Sequence, residues 1–224
     1  MTSSDAAYAT IRERVSAAAR RAGHLARLLA VSKTKPASAI RELARLGQRE
    51  FGENYVQEAL AKQQELVDLT LQWHLIGPLQ SNKCREVSEH FDWLESLDRE
   101  KLIAPLNRYR PDDRPPLNVL IQVNIDAEAS KSGCAPQAIP DLARRIAEAP
   151  RLALRGLMAI PEPHPDLAAR RATFRRMREL FDALRENHPA ADTLSLGMSD
   201  DFELAIEEGA TLVRVGTALF GARQ

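Results

Sequence analysis

The chain has no net charge to direct it: 31 lysines and arginines are matched by 31 aspartates and glutamates. A strongly basic face must then be balanced by an acidic one, which argues against nucleic-acid or membrane-surface binding through bulk charge. Cysteine is scarce. Cys84 and Cys134 are the only two and no Cys-x-x-Cys occurs, so neither a disulfide framework nor a zinc site is expected. No second His or Cys stands at metal-ligand spacing near His74. The opening Met1-Thr2-Ser3-Ser4-Asp5 has no basic segment followed by an apolar one, so no export leader is expected. No apolar run approaches the ~18 residues that a bilayer span needs. A cytoplasmic protein in a reducing compartment is the expectation. A Gly-x-Gly-x-x-Gly pattern is missing too, which removes one support for a dinucleotide fold.

What is present is an alternation of strand-like and helix-like segments almost to the end. An Ala- and Arg-rich stretch, 5–22, reads as a leading helix. Strands are expected near 26–33, 50–52, 71–76, 92–95, 117–123, 152–160, 193–195 and 211–215. Helical patterns follow near 37–47, 54–68, 81–89, 98–108, 136–148, 165–187 and 200–208, with a short turn after the last strand. Eight strands, each with a following helix, predict an α/β fold, a single (β/α)8 TIM barrel over residues 1–224. An open doubly wound sheet is the alternative. No linker rich in Gly, Ser or Pro marks a second domain.

In a barrel, function sits on the loops after the strands. Lys33 ends the apolar run Leu28-Leu29-Ala30-Val31-Ser32 and precedes Thr34-Lys35-Pro36. A lysine leaving a buried strand is partly stripped of water, and a neutral amine is a nucleophile toward aldehydes. On this segment alone the plainer reading, a lysine snorkelling out of a strand end, is favoured. Strand parity does not separate Lys33 from Lys35. The last two loops, around Ser199 and Gly216-Thr217, have the features of a barrel phosphate site: hydroxyls, close backbone and a helix start. Ser199 alone fits a plain helix N-cap equally well. Arg214 lies inside the last strand pattern and needs an acceptor, either a structural carboxylate or a ligand atom. His74 reads as a satisfied core histidine. Lys83 and Lys131 lie in loops and read as solvated.

The motifs LLAVSKTKP (28–36), FGENYVQEA (51–59), WHLIGPLQSNK (73–83), LNVLIQVNI (117–125), SKSG (130–133), RGLMAIP (155–161), LSLGMSDDFELAI (194–206) and VRVGTALFGAR (213–223) run in order along the chain. In them the chain resembles the YggS/PROSC-type pyridoxal phosphate homeostasis proteins. One departure is Gly23-His24-Leu25-Ala26-Arg27, a tighter join between first helix and first strand than the family leads one to expect, on the face away from the site.

The resemblance implies a barrel like the N-terminal domain of alanine racemase, with pyridoxal 5′-phosphate as cofactor. It implies Lys33 as the Schiff-base lysine, carrying the cofactor as an internal aldimine. Ser199, Gly216 and Thr217 would hold the phosphate, with Met198 beside it. Arg214 would face the pyridine nitrogen, and Asn54 would flank the ring or its hydroxyl. An always-charged Arg214 would keep that nitrogen unprotonated and the electron sink weak. A racemase needs acid–base groups on both faces of the substrate carbon. The racemase family takes the second from a tyrosine on an added β domain and a partner subunit. The tyrosines here, Tyr8, Tyr55 and Tyr109, match no such position, and no room for that domain is expected after Ala222. The expected role is therefore non-catalytic: holding the cofactor, as a monomer, in vitamin B6 homeostasis, with apo-enzymes that need it as partners and no metal, nucleic acid or membrane. The alternatives are a weak amino-acid racemase or lyase and, last, a Schiff-base aldolase acting through Lys33 directly.

Overall fold

In the computed structural model, residues 3–128 and 131–221 are described. Ser130 of the SKSG motif and the last three residues of the chain lie outside them. Eight parallel strands close on themselves in chain order, β1 (Arg27–Val31), β2 (Glu50–Glu53), β3 (Gln72–Leu75), β4 (Trp93–Leu97), β5 (Leu117–Gln122), β6 (Leu152–Met158), β7 (Thr193–Ser195) and β8 (Leu212–Val215). The closure is the β1–β8 ladder, with Arg27 opposite Leu212 and Ala30 opposite Val215. The barrel expectation holds and the open sheet falls.

Helices wrap the outside: α1 (Ser3–Ala22), α2 (Ala37–Arg45), α3 (Val56–Glu65), α4 (Cys84–His90), α5 (Ile103–Tyr109), α6 (Ile139–Ala147), α7 (Leu167–Asn187), α8 (Phe202–Glu207) and α9 (Thr217–Phe220). Their spacing shows why they form. In α7 the buried residues are Phe174, Met177, Phe181 and Leu184, one apolar stripe at helical period. Asp166 caps that helix, accepting from the amides of Ala168 and Ala169 at 3.1 and 3.2 Å. In α2, Ile40, Leu43 and Ala44 make the same kind of stripe. No helix among the described residues is long and apolar enough to cross a membrane.

Strand residues alternate between barrel interior and helix layer. In β2, Gly52 faces inward, where an added Cβ would stand 3.0 Å from Leu29. Phe51 and Glu53 therefore face the helices, both buried. The interior holds a column of polar and aromatic groups beside aliphatic side chains such as Leu29 and Leu120. At its N-terminal end the guanidiniums of Arg27 and Arg155 lie 5.1 and 5.4 Å from the Trp93 ring. Trp93 stacks on His74 at 5.1 Å between centroids. From His74 a hydrogen-bonded chain rises toward the C-terminal ends of the strands.

Two expectations need correction. β1 stops at Val31, so Lys33 stands in the loop rather than at the strand's end. The short turn expected after β8 is a helical turn, α9. A four-residue element is too short to show a periodicity in sequence.

Candidate functional site

A cavity of about 410 Å³ opens at the C-terminal ends of the strands, within the size range usual for small-molecule sites. Lys33, Asn54, Met198, Ser199, Arg214, Gly216 and Thr217 all line it. Seven residues picked from five separate loops and strands thus meet in one place. Lys131 and Ser132 line it too, together with Gln122, Ile76, Gly77 and Pro78.

Lys33 and Lys35 part company. The Lys35 ammonium donates to the carbonyls of Phe220 and Gly221, both at 3.2 Å, and so ties down the end of α9. Lys83 pairs with Glu86 at 2.9 Å. Lys131, read as solvated, is instead drawn into the pocket wall, 2.9 Å from Glu128 and only partly exposed. Its loop is pinned back onto β5: Cys134 N–H donates to Gln122 O at 2.9 Å, and Asn124 N–H to Cys134 O at 2.9 Å. The Cys134 thiol itself is buried and pushed up to about 11 by desolvation, so it is no nucleophile.

Arg214 is buried in the pocket floor. Its Nη1 donates to Ser195 Oγ at 2.6 Å and its Nη2 to Ala159 O at 2.7 Å. Ser195 Oγ donates onward to Glu95 Oε2 at 2.6 Å. Glu95 Oε1 lies 2.7 Å from His74 Nδ1. The structural carboxylate foreseen as one possible acceptor for Arg214 is not its direct partner: Glu95 is reached through the Ser195 hydroxyl. Burial pushes the Arg214 guanidinium down, opposed by the charges of Glu95 and Asp201. Burial alone would raise the Glu95 carboxyl, but the hydrogen bond and charge of His74, the charge of Arg214 and the Ser195 hydroxyl together hold it below the usual range. His74 is half satisfied: its Nε2 is buried without a partner, where a fully satisfied histidine was expected.

Ser199 is not a helix cap. Asp201 precedes α8, and its carboxylate accepts from Met198 N–H at 2.7 Å. Ser199 is left on the loop facing the cavity. Across from it, Gly216 leads into α9. A Cβ there would stand 3.2 Å from the Val31 carbonyl, a tight contact, so glycine lets the backbone lie close along this wall. The first amides of a helix have no partner within it. Glu95 and Ser195 were missed in sequence. Polar residues inside short strands, Glu95 in Trp93–Leu97 and Ser195 in Thr193–Ser195, did not by themselves point to a partnership.

The family model for the alanine racemase N-terminal domain matches residues 7–224. A pyridoxal phosphate homeostasis protein of Pseudomonas aeruginosa is 59% identical over 215 residues, covering 96% of this chain and 92% of that protein. One of Escherichia coli is 55% identical over 221 residues, covering 96% and 94%. Among solved structures, PipY of Synechococcus elongatus with PLP bound is 39% identical with a TM-score of 0.84, over 97% of this chain and 100% of that one. An alanine racemase of Bacillus anthracis shares the fold alone, at 15% identity and a TM-score of 0.67, over 98% of this chain and 56% of its own.

Proposed function

This chain belongs to the pyridoxal phosphate homeostasis family, built on the alanine racemase N-terminal domain, and from that premise we propose that it binds and holds pyridoxal 5′-phosphate through Lys33. The observation that carries the reading is the meeting of Lys33, Arg214 and the Ser199 and Gly216-Thr217 loops in one cavity. When bound, the cofactor supplies an aldehyde that a lysine amine captures as a Schiff base, and a conjugated ring that draws electrons.

The residues fit that group. The hydroxyls of Ser199 and Thr217 and the close backbone at Gly216 suit a phosphate. Arg214 brings a fixed positive charge to the floor, held by Ser195 and Ala159. Asn54 takes the ring edge or its hydroxyl, and Met198 packs beside the phosphate. Lys33 takes the attachment, since Lys35 is engaged with α9.

The role that follows is storage and delivery of a reactive cofactor in vitamin B6 homeostasis, by a monomer in the cytoplasm, with apo-enzymes as recipients. A charged Arg214 at the ring nitrogen weakens the electron sink, which suits a holder better than a transaminase. Tyr8 is turned away, its hydroxyl on Gln48 at 3.3 Å, and no tyrosine lines the cavity among the described residues.

The test is the absorption spectrum of the purified protein before and after borohydride. Wild type gains a reduced, covalently attached cofactor; Lys33→Ala does not. Ser199→Ala and Thr217→Ala weaken retention yet still allow attachment. Full attachment in Lys33→Ala through another lysine sinks the assignment. Sustained exchange of amino-acid α-protons in D₂O by the loaded protein would instead favour a weak racemase or lyase.

A further inference from the structure

Lys33 sits in a strained turn that is gripped from outside the cavity. Lys35 N–H donates to Ser32 O at 3.0 Å, so Lys33 and Thr34 are the two central residues of a β-turn. Thr34 has φ 64°, while Lys33 is not among the residues of positive φ. Positive φ at the third residue alone is the type II pattern, which calls for glycine or asparagine there. A β-branched threonine adopts it only against steric resistance.

The grip comes from α3. The Lys62 ammonium, buried, uses all three N–H groups: on Ser32 O at 2.8 Å, Glu53 Oε1 at 2.7 Å and Glu58 Oε1 at 2.7 Å. Ser32 Oγ donates to the same Glu53 oxygen at 2.6 Å. Glu58 Oε1 also accepts from Thr34 N–H at 2.5 Å. The residues on either side of Lys33 are thus held by one ionic cluster, and the cluster itself lies on the helix side of β2. We propose that Glu58, Lys62 and Glu53 are positioning residues for Lys33: they hold its turn in the strained form that presents the amine to the cofactor aldehyde.

The inference rests on the reading of Lys33 as the attachment point. Attachment adds the neutral amine to the aldehyde carbon, and loss of one water leaves the C=N bond; nothing is oxidised or reduced. The cluster acts on that step and not on the phosphate contacts, which lie on other loops. Lys62→Met strands buried Glu53 without its cation and invites misfolding. Glu58, a quarter exposed, is the better probe.

The experiment titrates apo-protein with pyridoxal 5′-phosphate and follows the absorbance band of the lysine-attached cofactor. Non-covalent retention is measured separately in a Lys33→Ala background. Glu58→Gln lowers the attachment constant about tenfold, as expected when the charge-assisted hydrogen bonds from Thr34 N–H and Lys62 become neutral ones and the ion pair is lost. Adding Thr34→Gly, which removes the steric resistance, restores attachment to within about threefold of wild type. In the Lys33→Ala background Glu58→Gln leaves retention unchanged. Unaltered attachment in Glu58→Gln overturns the proposal. So does equal weakening in both backgrounds, or no rescue by glycine. Attachment that survives Lys33→Ala overturns the reading of Lys33 itself, and the inference with it.

Discussion

At the scale of single residues, the most consequential feature is a carboxylate the sequence pattern did not announce. Glu95 is fully buried and serves two neighbours, His74 and, through Ser195, Arg214. A buried charge without a partner is costly, and removing one member of such a group typically costs about 3 kcal/mol or more. Glu95→Gln keeps the shape and removes the charge. It lowers the thermal midpoint by roughly 10 °C in a chain of this size, measured by circular dichroism at neutral pH. It also leaves Arg214 facing the cavity without the counter-charge behind it. The absorbance of the attached cofactor then shifts relative to wild type, whereas a surface control such as Glu13→Gln moves neither reading. Residues of this kind were illegible beforehand because the partnership spans β3, β4, β7 and β8. Glu95 and Ser195 are a hundred positions apart, and only barrel closure brings them within 2.6 Å.

At the scale of elements, the strands were legible because they alternate regularly with helical patterns and several, such as β1 and β5, are short apolar runs ended by a polar loop. What parity could not show is where β1 stops. Its ladder ends at Val31, and the following turn sends Lys33 into the cavity and Lys35 toward α9. The loops around Ser199 and Gly216-Thr217 were legible as residue types, but whether Ser199 caps a helix or faces the cavity needed the position of α8. Lys35 supplies a long-range contact to the last of these loops, closing the C-terminal end of α9 onto the loop after β1. Lys35→Met keeps the stem and removes the ammonium. Cofactor retention is expected to fall about threefold to tenfold through loosening of the Gly216-Thr217 wall, while borohydride still fixes the cofactor at Lys33. Equilibrium dialysis and peptide mapping after reduction separate these two readings. Transfer of the attachment to another lysine would contradict the division of labour between Lys33 and Lys35.

At the scale of the whole molecule, the pH dependence of stability follows from charged groups in and around the barrel. Two carboxylates, Glu95 in β4 and Asp192 just before β7, are held below their ordinary range. For Glu95, burial is outweighed by His74, Arg214 and Ser195. For Asp192, burial is outweighed by Arg155, Thr193 and Arg27. A carboxyl whose folded value is depressed contributes stability that is present above its unfolded value, near pH 4, and is lost as pH falls through the folded one. Glu53 has the opposite sign: burial raises it, with Lys62 and Ser32 pulling back. It favours the folded state when protonated and loses that contribution as pH rises through its raised value, so it cannot cause acid unfolding. The acid limb therefore belongs to Glu95, Asp192 and the surface pairs, of which Glu203 with Arg14 is one. The thermal midpoint of wild type is expected to be flat near neutrality and to fall steeply once the pH drops below about 4. Glu95→Gln starts lower and falls less, so the two profiles converge in acid. Parallel profiles across the whole range would place the titrating group elsewhere and remove Glu95 from the account of stability.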